Sequence, residues 1–329
     1  MTHHPNRRDI LALSGAIGLS SLWPGTLGAT TLDHLALFGP PAGPSITLAH
    51  AAATNRFAAI SDQVSFTVWR SPDQLRAGLT SGEIQLSVVP VQAAANLYNR
   101  GFPIRLANIM TDGLLYVMSD DPNIRAIPDL AGRHVAVPFR GDTPELIFAG
   151  MLAHHGVSPD TDLKLTYAGT PIEAMQMLLA GRVDAALTAE PSTTMGMIRA
   201  EQDGRSFYRS IDIQAAWGQM TGGAGVLPQA GLAVTSGFLD AHGSALPDIL
   251  NVLESATIEV LEHPEDAAGH AAGPLKMPVA LLAASVPHCN LVARSGDQAR
   301  ADIERMLSAI SGEEYQKIGG ALPGDDFYL

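Results

Sequence analysis

Sliding the chain against itself by 99 positions, without a gap, superposes two stretches of like design. Ser71-Pro72 falls on Thr170-Pro171, Leu79 on Leu178, Gly82 on Gly181, and Ile84-Gln85 on Val183-Asp184. Each stretch reads as strand, capped helix, glycine, strand. Ser or Thr before Pro is an N-cap followed by a residue whose missing N–H and fixed φ suit the first helical position. Thr170-Pro171-Ile172-Glu173 has the further pattern of a capping box. The same alternation continues on either side. Residues 32–38 read as a strand, and Ser45 as the N-cap of a helix to about Asn55. Residues 64–69, 84–89, 114–118, 134–138, 163–167 and 183–187 read as strands, and Thr143-Pro144 opens a helix through His155-Gly156. Strands that alternate with helices predict doubly wound, mainly parallel sheets flanked by helices. A duplicated unit of this length predicts two lobes rather than a solenoid.

Such an arrangement limits where chemistry can sit. In an open parallel sheet, ligands bind beyond the carboxyl ends of the strands, beside the helix N-termini. Free N–H groups there attract anions and polar atoms. The duplication nominates matched positions: Arg70-Ser71 with Gly169-Thr170, and Pro90-Val91-Gln92 with Ala189-Glu190-Pro191. The turn from Gly39 through Pro41 to Ser45 and the turn Arg140-Gly141-Asp142-Thr143 are comparable strand-to-helix connections. Arg140 is either a surface residue paired with Asp142 or a grip for a carboxylate, sulfonate or nitrate; Arg70 offers the same choice. Trp69 and Trp217 are either core residues or faces for a flat or cationic ligand. Glu190 is either a structural cap or a carboxylate for an amine or a ring N–H.

Other classes of function are disfavoured. The net charge is -13, which suits neither nucleic acid nor an anionic membrane surface. The single cysteine, Cys289, precludes an intramolecular disulfide and a thiolate metal cluster. No G-x-S-x-G elbow, P-loop or H-E-x-x-H occurs, and the histidines are scattered, so no enzyme activity, metal or cofactor is expected. His154-His155 at a helix end reads as a favourable C-terminal charge. At the N-terminus, Arg7-Arg8 precede a short apolar stretch that Pro24-Gly25 breaks, and Ala29 offers a small residue for cleavage. That is the pattern of a signal peptide over residues 1–29, and Asn6-Arg7-Arg8-Asp9-Ile10-Leu11 fits the twin-arginine type. The expected product is a soluble periplasmic protein.

The segment Ile127-Pro128-Asp129-Leu130-Ala131-Gly132-Arg133-His134-Val135-Ala136-Val137-Pro138 resembles a motif of the nitrate, sulfonate and taurine family of ABC transporter substrate-binding proteins, to which thiamine-pyrimidine binders are related. Glu173-Ala174 with Leu178, Gly181-Arg182-Val183-Asp184-Ala185-Ala186 and Glu190-Pro191 are similar to a second motif of that family. Gly82-Glu83-Ile84-Gln85 and Gly101-Phe102-Pro103-Ile104 resemble its first lobe, with Gln85 standing where the family often has Asp. The resemblance implies a type II periplasmic binding protein clamshell. Lobe 1 is then residues 30–112 and 230–329, and lobe 2 is residues 113–229. The crossings fall near Asp112-Gly113 and residues 227–231. The C-terminal helices expected at residues 246–262 and 297–310 pack on lobe 1. The implied function is the solute-binding component of an ABC importer, with a membrane permease and an ATPase as partners. The ligand is expected to be a small organic anion of the sulfonate or nitrate kind. The alternatives are a flat heteroaromatic such as a thiamine-precursor pyrimidine, or an enzyme or sensor on the same fold. Enzymes of the wider group use a cysteine-rich motif that a chain with only Cys289 lacks. The candidate ligand-binding residues are therefore Pro41, Ser45, Trp69, Arg70, Pro90, Gln92, Asp112, Arg140, Gly141, Asp142, Thr143, Thr170, Glu190 and Trp217.

Overall fold

A computed structural model describes residues 32–312 and 315–329; the expected signal peptide lies outside them. The chain runs β1 (Leu35–Gly39), α1 (Pro44–Ala53), β2 (Val64–Val68), α2 (Pro72–Ser81), β3 (Leu86–Pro90), α3 (Val91–Asn99), β4 (Ile104–Leu106), β5 (Asn108–Thr111) and β6 (Leu115–Ser119). It continues β7 (His134–Pro138), α4 (Thr143–His154), β8 (Lys164–Ala168), α5 (Pro171–Leu179), β9 (Ala185–Ala189), α6 (Ser192–Gln202), β10 (Tyr208–Asp212) and α7 (Ile213–Thr221). The last part is β11 (Ala230–Thr235), α8 (Ser236–His242), α9 (Leu246–Glu262), α10 (Pro264–Leu275), α11 (Val279–Ser285), β12 (Leu291–Ser295) and α12 (Gly296–Ser311).

The strands form two sheets. A seven-stranded sheet has the order β12-β5-β11-β3-β1-β2, with β4 beside β11; a five-stranded sheet has the order β10-β6-β9-β7-β8. In each, three strands are parallel and the fourth is antiparallel: β2-β1-β3 then β11, and β8-β7-β9 then β6. The duplication seen in the sequence is thus a structural one. β1 and β7, β3 and β9, and the starts of α1 and α4 and of α2 and α5 all lie 99 residues apart. The equivalence reaches single hydrogen bonds. Val91 N–H donates to the Gln229 carbonyl (2.9 Å), and Glu190 N–H, its counterpart, donates to the Leu114 carbonyl (3.0 Å).

One repeat has lost a bond that the other keeps. The Asp184 carboxylate accepts the His134 N–H at the head of β7 (2.8 Å). Gln85 occupies the matching place in the first repeat, and there Leu35 N–H at the head of β1 donates to the Gln63 carbonyl instead (2.8 Å).

The chain passes between the sheets twice, and the two passes lie side by side. Leu114 N–H donates to the Gln229 side-chain oxygen (2.6 Å), and Leu227 N–H to the Asp112 carbonyl (3.0 Å). A third segment braces them: Asn290 Nδ2 donates to the Gly113 carbonyl (2.8 Å), and Thr111 Oγ1 to the Cys289 carbonyl (2.7 Å). Cys289 is fully buried and its thiol is pushed up by burial, so it acts as a small core residue. Helix α9 buries Leu246, Ile249, Leu253, Ala256 and Val260, and α12 buries Ala299, Ile303, Met306, Leu307 and Ile310. These faces pack on α1, β5 and β12 of the larger sheet. Each large aliphatic side chain among them contributes about 1.5–3 kcal/mol of burial. Helix α4 of the smaller sheet also packs on α12, and α6 on α11.

Local capping follows the sequence in most places. Ser71 Oγ accepts from Gln74 N–H (3.2 Å) and Thr170 Oγ1 from Glu173 N–H (3.1 Å). The reciprocal half of the second motif is displaced by one residue, because the Glu173 carboxylate accepts from Gly169 N–H rather than from Thr170 (2.6 Å). Ser45 is not the N-cap expected. Pro44 already starts α1 from Gly43, so Ser45 lies inside the first turn, fully buried, with its hydroxyl donated to the Pro40 carbonyl (2.5 Å).

Candidate ligand-binding site

A cleft of about 1040 Å³ runs along the carboxyl ends of the parallel strands, and both sheets contribute to its walls. The turns after β1, β2 and β3 supply Pro41, Arg70 and Gln92; those after β7, β8 and β9 supply Arg140, Thr170 and Ser192. The starts of α2 to α6 line the cleft, and the turn before α1 does as well. This follows from parallel pairing, which puts every strand-to-helix turn of a repeat on the same sheet edge. Several first-turn N–H groups therefore converge on one space, which favours negative charge. Its volume is at the upper end of the range for small-molecule sites.

The charged lining is unequal. Among the described residues, Arg70, Arg76, Arg100, Arg140, Lys276 and Lys317 line the cleft with three acidic residues, Asp142, Glu145 and Glu190. In a chain of net charge -13, that is a local reversal of sign. The acids are also partly occupied. Glu145 accepts from Gly141 N–H (3.2 Å). Glu190 is fully buried, with its carboxylate held by Arg209 Nη2 (2.7 Å), Arg209 Nε (3.0 Å) and Thr194 N–H (3.0 Å). Asp142 is half-buried at the start of α4 without a capping bond, and burial pushes its carboxyl above the usual range while Arg76 pulls it back. Arg76 is itself paired with Asp73 in the open (2.7 Å), a contact worth at most about 1 kcal/mol.

The candidate residues divide by what their side chains already hold. Arg140 does not pair with Asp142. Its guanidinium lies over the Tyr167 ring, 4.7 Å from the centroid, and among the described residues no ion pair or hydrogen bond engages it. Arg70 is exposed and uses only its backbone N–H, donated to Gln74 Oε1 (2.8 Å). Gly141 has φ of +81°, which requires glycine, and Phe139 just before it has φ of +54°. A large residue in the left-handed region stores of order 1 kcal/mol or more, a cost typical of ligand-facing turns. Gln92 and Thr143 are buried at the cleft floor. Thr143 Oγ1 approaches Gln92 Oε1 (3.5 Å), and Gln92 Nε2 donates to the Lys317 carbonyl. Pro41, Pro90, Thr170 and Asp142 lie on the wall.

Three of the candidates, Ser45, Asp112 and Trp217, do not line the cleft, and a fourth, Trp69, borders it with little surface. Ser45 is spent on Pro40. Asp112 sits at the crossing, bonded to Arg294 (2.5 Å), which also binds Asp302 (2.9 Å). Trp217 is 2% exposed, on the buried face of α7 in the core. Trp69 borders the cleft, but it is 5% exposed with its indole N–H donated to Ser87 Oγ (3.0 Å). Conversely, sequence reasoning passed over Arg76, Arg100, Phe139, Tyr167, Lys276 and Lys317. Arg76 lies four residues after Pro72, so helical spacing puts it on the same side of α2; Tyr167 lies at a strand end. Lys276 and Lys317 come from the C-terminal part, where no repeat points to the cleft.

Two α/β sheets of duplicated topology, joined by adjacent crossings and sharing a cleft of helix N-termini, define the fold of periplasmic binding proteins. The chain belongs to the NMT1/THI5-like family, whose model matches residues 70–267. No curated protein matches its sequence. Among solved structures it is similar to an ABC transporter protein from Parabacteroides distasonis, at 23% identity and a TM-score of 0.71, covering 90% of this chain and 98% of that one. It is also similar to the periplasmic aliphatic sulphonate binding protein SsuA from Escherichia coli (15% identity, TM-score 0.64, 85% and 86% covered). A third is the periplasmic nitrate-binding protein NrtA from Synechocystis PCC 6803 (15% identity, TM-score 0.58, 76% and 69% covered). At these identities the likeness concerns the fold.

Proposed function

We propose that this chain is the solute-binding component of an ABC importer, and that it carries a small organic anion in the cleft. Binding proceeds without turnover. Lobe 1, residues 30–112 and 230–329, and lobe 2, residues 113–229, close on the ligand about the crossings at Gly113 and Gln229. The protein is exported, periplasmic and soluble, and when loaded it delivers to a permease with its ATPase. The membership of the family, the fold shared with sulphonate- and nitrate-binding proteins, and the lack of any helix long and apolar enough to cross a membrane among the described residues support this role.

The observation that carries the ligand class is, among the described residues, the excess of cations on the cleft wall, with Arg140 held on Tyr167 and bonded to no acid. The heteroaromatic alternative relies on Glu190 and the tryptophans, and these are committed elsewhere: Glu190 to Arg209, Trp69 to Ser87, Trp217 to the core. Calorimetry with alkanesulfonates, carboxylates and uncharged heteroaromatics tests the reading. Arg140→Ala removes a charge-assisted hydrogen bond of about 1.5–3 kcal/mol, so anion affinity is expected to drop about tenfold to over a hundredfold. Scattering is expected to show compaction on binding. A wild-type protein that binds only the uncharged rings, or an anion affinity indifferent to Arg140→Ala, overturns the anion assignment. Recovery of a chemically altered ligand overturns the claim of binding alone.

A further inference from the structure

Asp142 occupies the N-cap position of α4 and yet leaves that helix uncapped. Asp212, in the same position before α7, accepts the Ala215 N–H (2.9 Å), as an N-cap aspartate ordinarily does. Pro144 brings no N–H to the first turn of α4, and Asp142 does not take the Glu145 N–H either. Its carboxylate lines the cleft instead, half-buried, and among the described residues nothing donates to it. The other two acids of the lining are committed, Glu145 to Gly141 N–H and Glu190 to Arg209 and Thr194 N–H. Arg140, two residues before Asp142, carries the opposite charge into the same cleft, but its guanidinium lies on Tyr167 and the two do not pair. Gly141, with φ of +81°, makes the sharp turn between them. One turn thus presents a strong donor and a strong acceptor, neither satisfied by a bond to the other.

We propose that Asp142 is a specificity-determining residue, and that the anion held at Arg140 also carries a hydroxyl group that donates to the Asp142 carboxylate. This deepens the proposed function and rests on it. What the carboxylate lacks is a donor rather than a charge. Burial pushes its carboxyl up, but Arg76 already supplies positive charge to it from α2, against Asp73. Among the described residues the lining carries six cationic side chains and three acids, so a ligand ammonium would meet net positive surroundings. A neutral hydroxyl satisfies Asp142 without that repulsion. An anion with no donor leaves the carboxylate half out of water, unbonded and facing a like charge. An acceptor left unsatisfied costs more than an ordinary hydrogen bond gains. Sites built to bond a hydroxyl therefore reject the analogue that lacks it.

The test uses the intact protein and four probes of one carbon skeleton: propionate, 2-hydroxypropionate, 3-hydroxypropionate and alanine, measured by calorimetry. In the wild type, one of the hydroxy acids is expected to bind about tenfold or more tighter than propionate, and alanine no tighter than propionate. Asp142→Ala is expected to abolish that preference and also to bind propionate several-fold more tightly than the wild type does, because a like charge has gone. Asp142→Asn keeps an acceptor and is expected to retain part of the preference. A merely structural role cannot give these opposite signs, since a damaged cleft loses both ligands. Equal binding of propionate and the hydroxy acids by the wild type overturns the proposal, and so does tighter binding of alanine than of either hydroxy acid. A hydroxyl preference that survives Asp142→Ala overturns it as well. If Arg140→Ala still weakens propionate in those cases, the anion reading stands and only the role of Asp142 fails. If the wild type binds none of the four, the proposal fails, and the alkanesulfonate titrations decide whether the anion reading fails with it.

Discussion

Removing Arg209 isolates a carboxylate that the fold has taken out of water. Glu190 is fully buried, and three contacts hold it: two from the Arg209 guanidinium at 2.7 and 3.0 Å and one from Thr194 N–H at 3.0 Å. Arg209 also donates to Thr194 Oγ1 (2.7 Å). An exposed pair contributes at most about 1 kcal/mol. Breaking a buried pair from one side leaves an uncompensated charge and costs about 3–5 kcal/mol. Arg209 keeps some exposure, at 18% of its side chain, which places the expected loss for Arg209→Ala at about 3 kcal/mol. Urea unfolding at constant slope is the measurement, with a thermal midpoint lowered by roughly 5 °C. The double variant Glu190→Gln with Arg209→Met removes the charge together with its partner and should recover roughly 2 kcal/mol of that loss. A single variant that loses less than about 1 kcal/mol refutes the reasoning, because the carboxylate would then be behaving as an exposed one.

Gly113 has φ of +122°, and a Cβ there would come within 2.1 Å of Gln214 Cγ; Gly113→Ala is therefore expected to cost more than about 1 kcal/mol in urea unfolding. Burial first and Arg209 second hold His288 below the ordinary histidine value of 6.5. The unfolded chain then takes up a proton before the folded one as pH falls through 6.5, so this contribution is present above that pH and is lost on acidification. Thermal melts across pH 5 to 8 should show that loss, and His288→Gln should flatten it; an unchanged profile counts against the assignment. N-terminal sequencing of the native protein should begin near Thr30, and a retained Met1 in the cytoplasm would sink the export assignment.

What the sequence determined by itself was the repeat and its local chemistry. Ser71 and Thr170 cap their helices because an N-cap needs only a hydroxyl three residues ahead of an N–H, and that spacing is local. The matched turns lie at the cleft because parallel strands of a repeated unit must all end on one edge. Even the Gln85 departure was readable, and its effect stayed at the head of one strand. What tertiary structure alone decided was which polar side chains remained free. Glu190 was engaged by Arg209, Trp69 by Ser87, Asp112 by Arg294, and Trp217 was enclosed by the core. Lys276 and Lys317 reached the cleft from a part of the chain with no repeat to announce them. A side chain's availability depends on partners brought together by packing, some of them more than a hundred positions away, and no spacing along the sequence encodes that encounter.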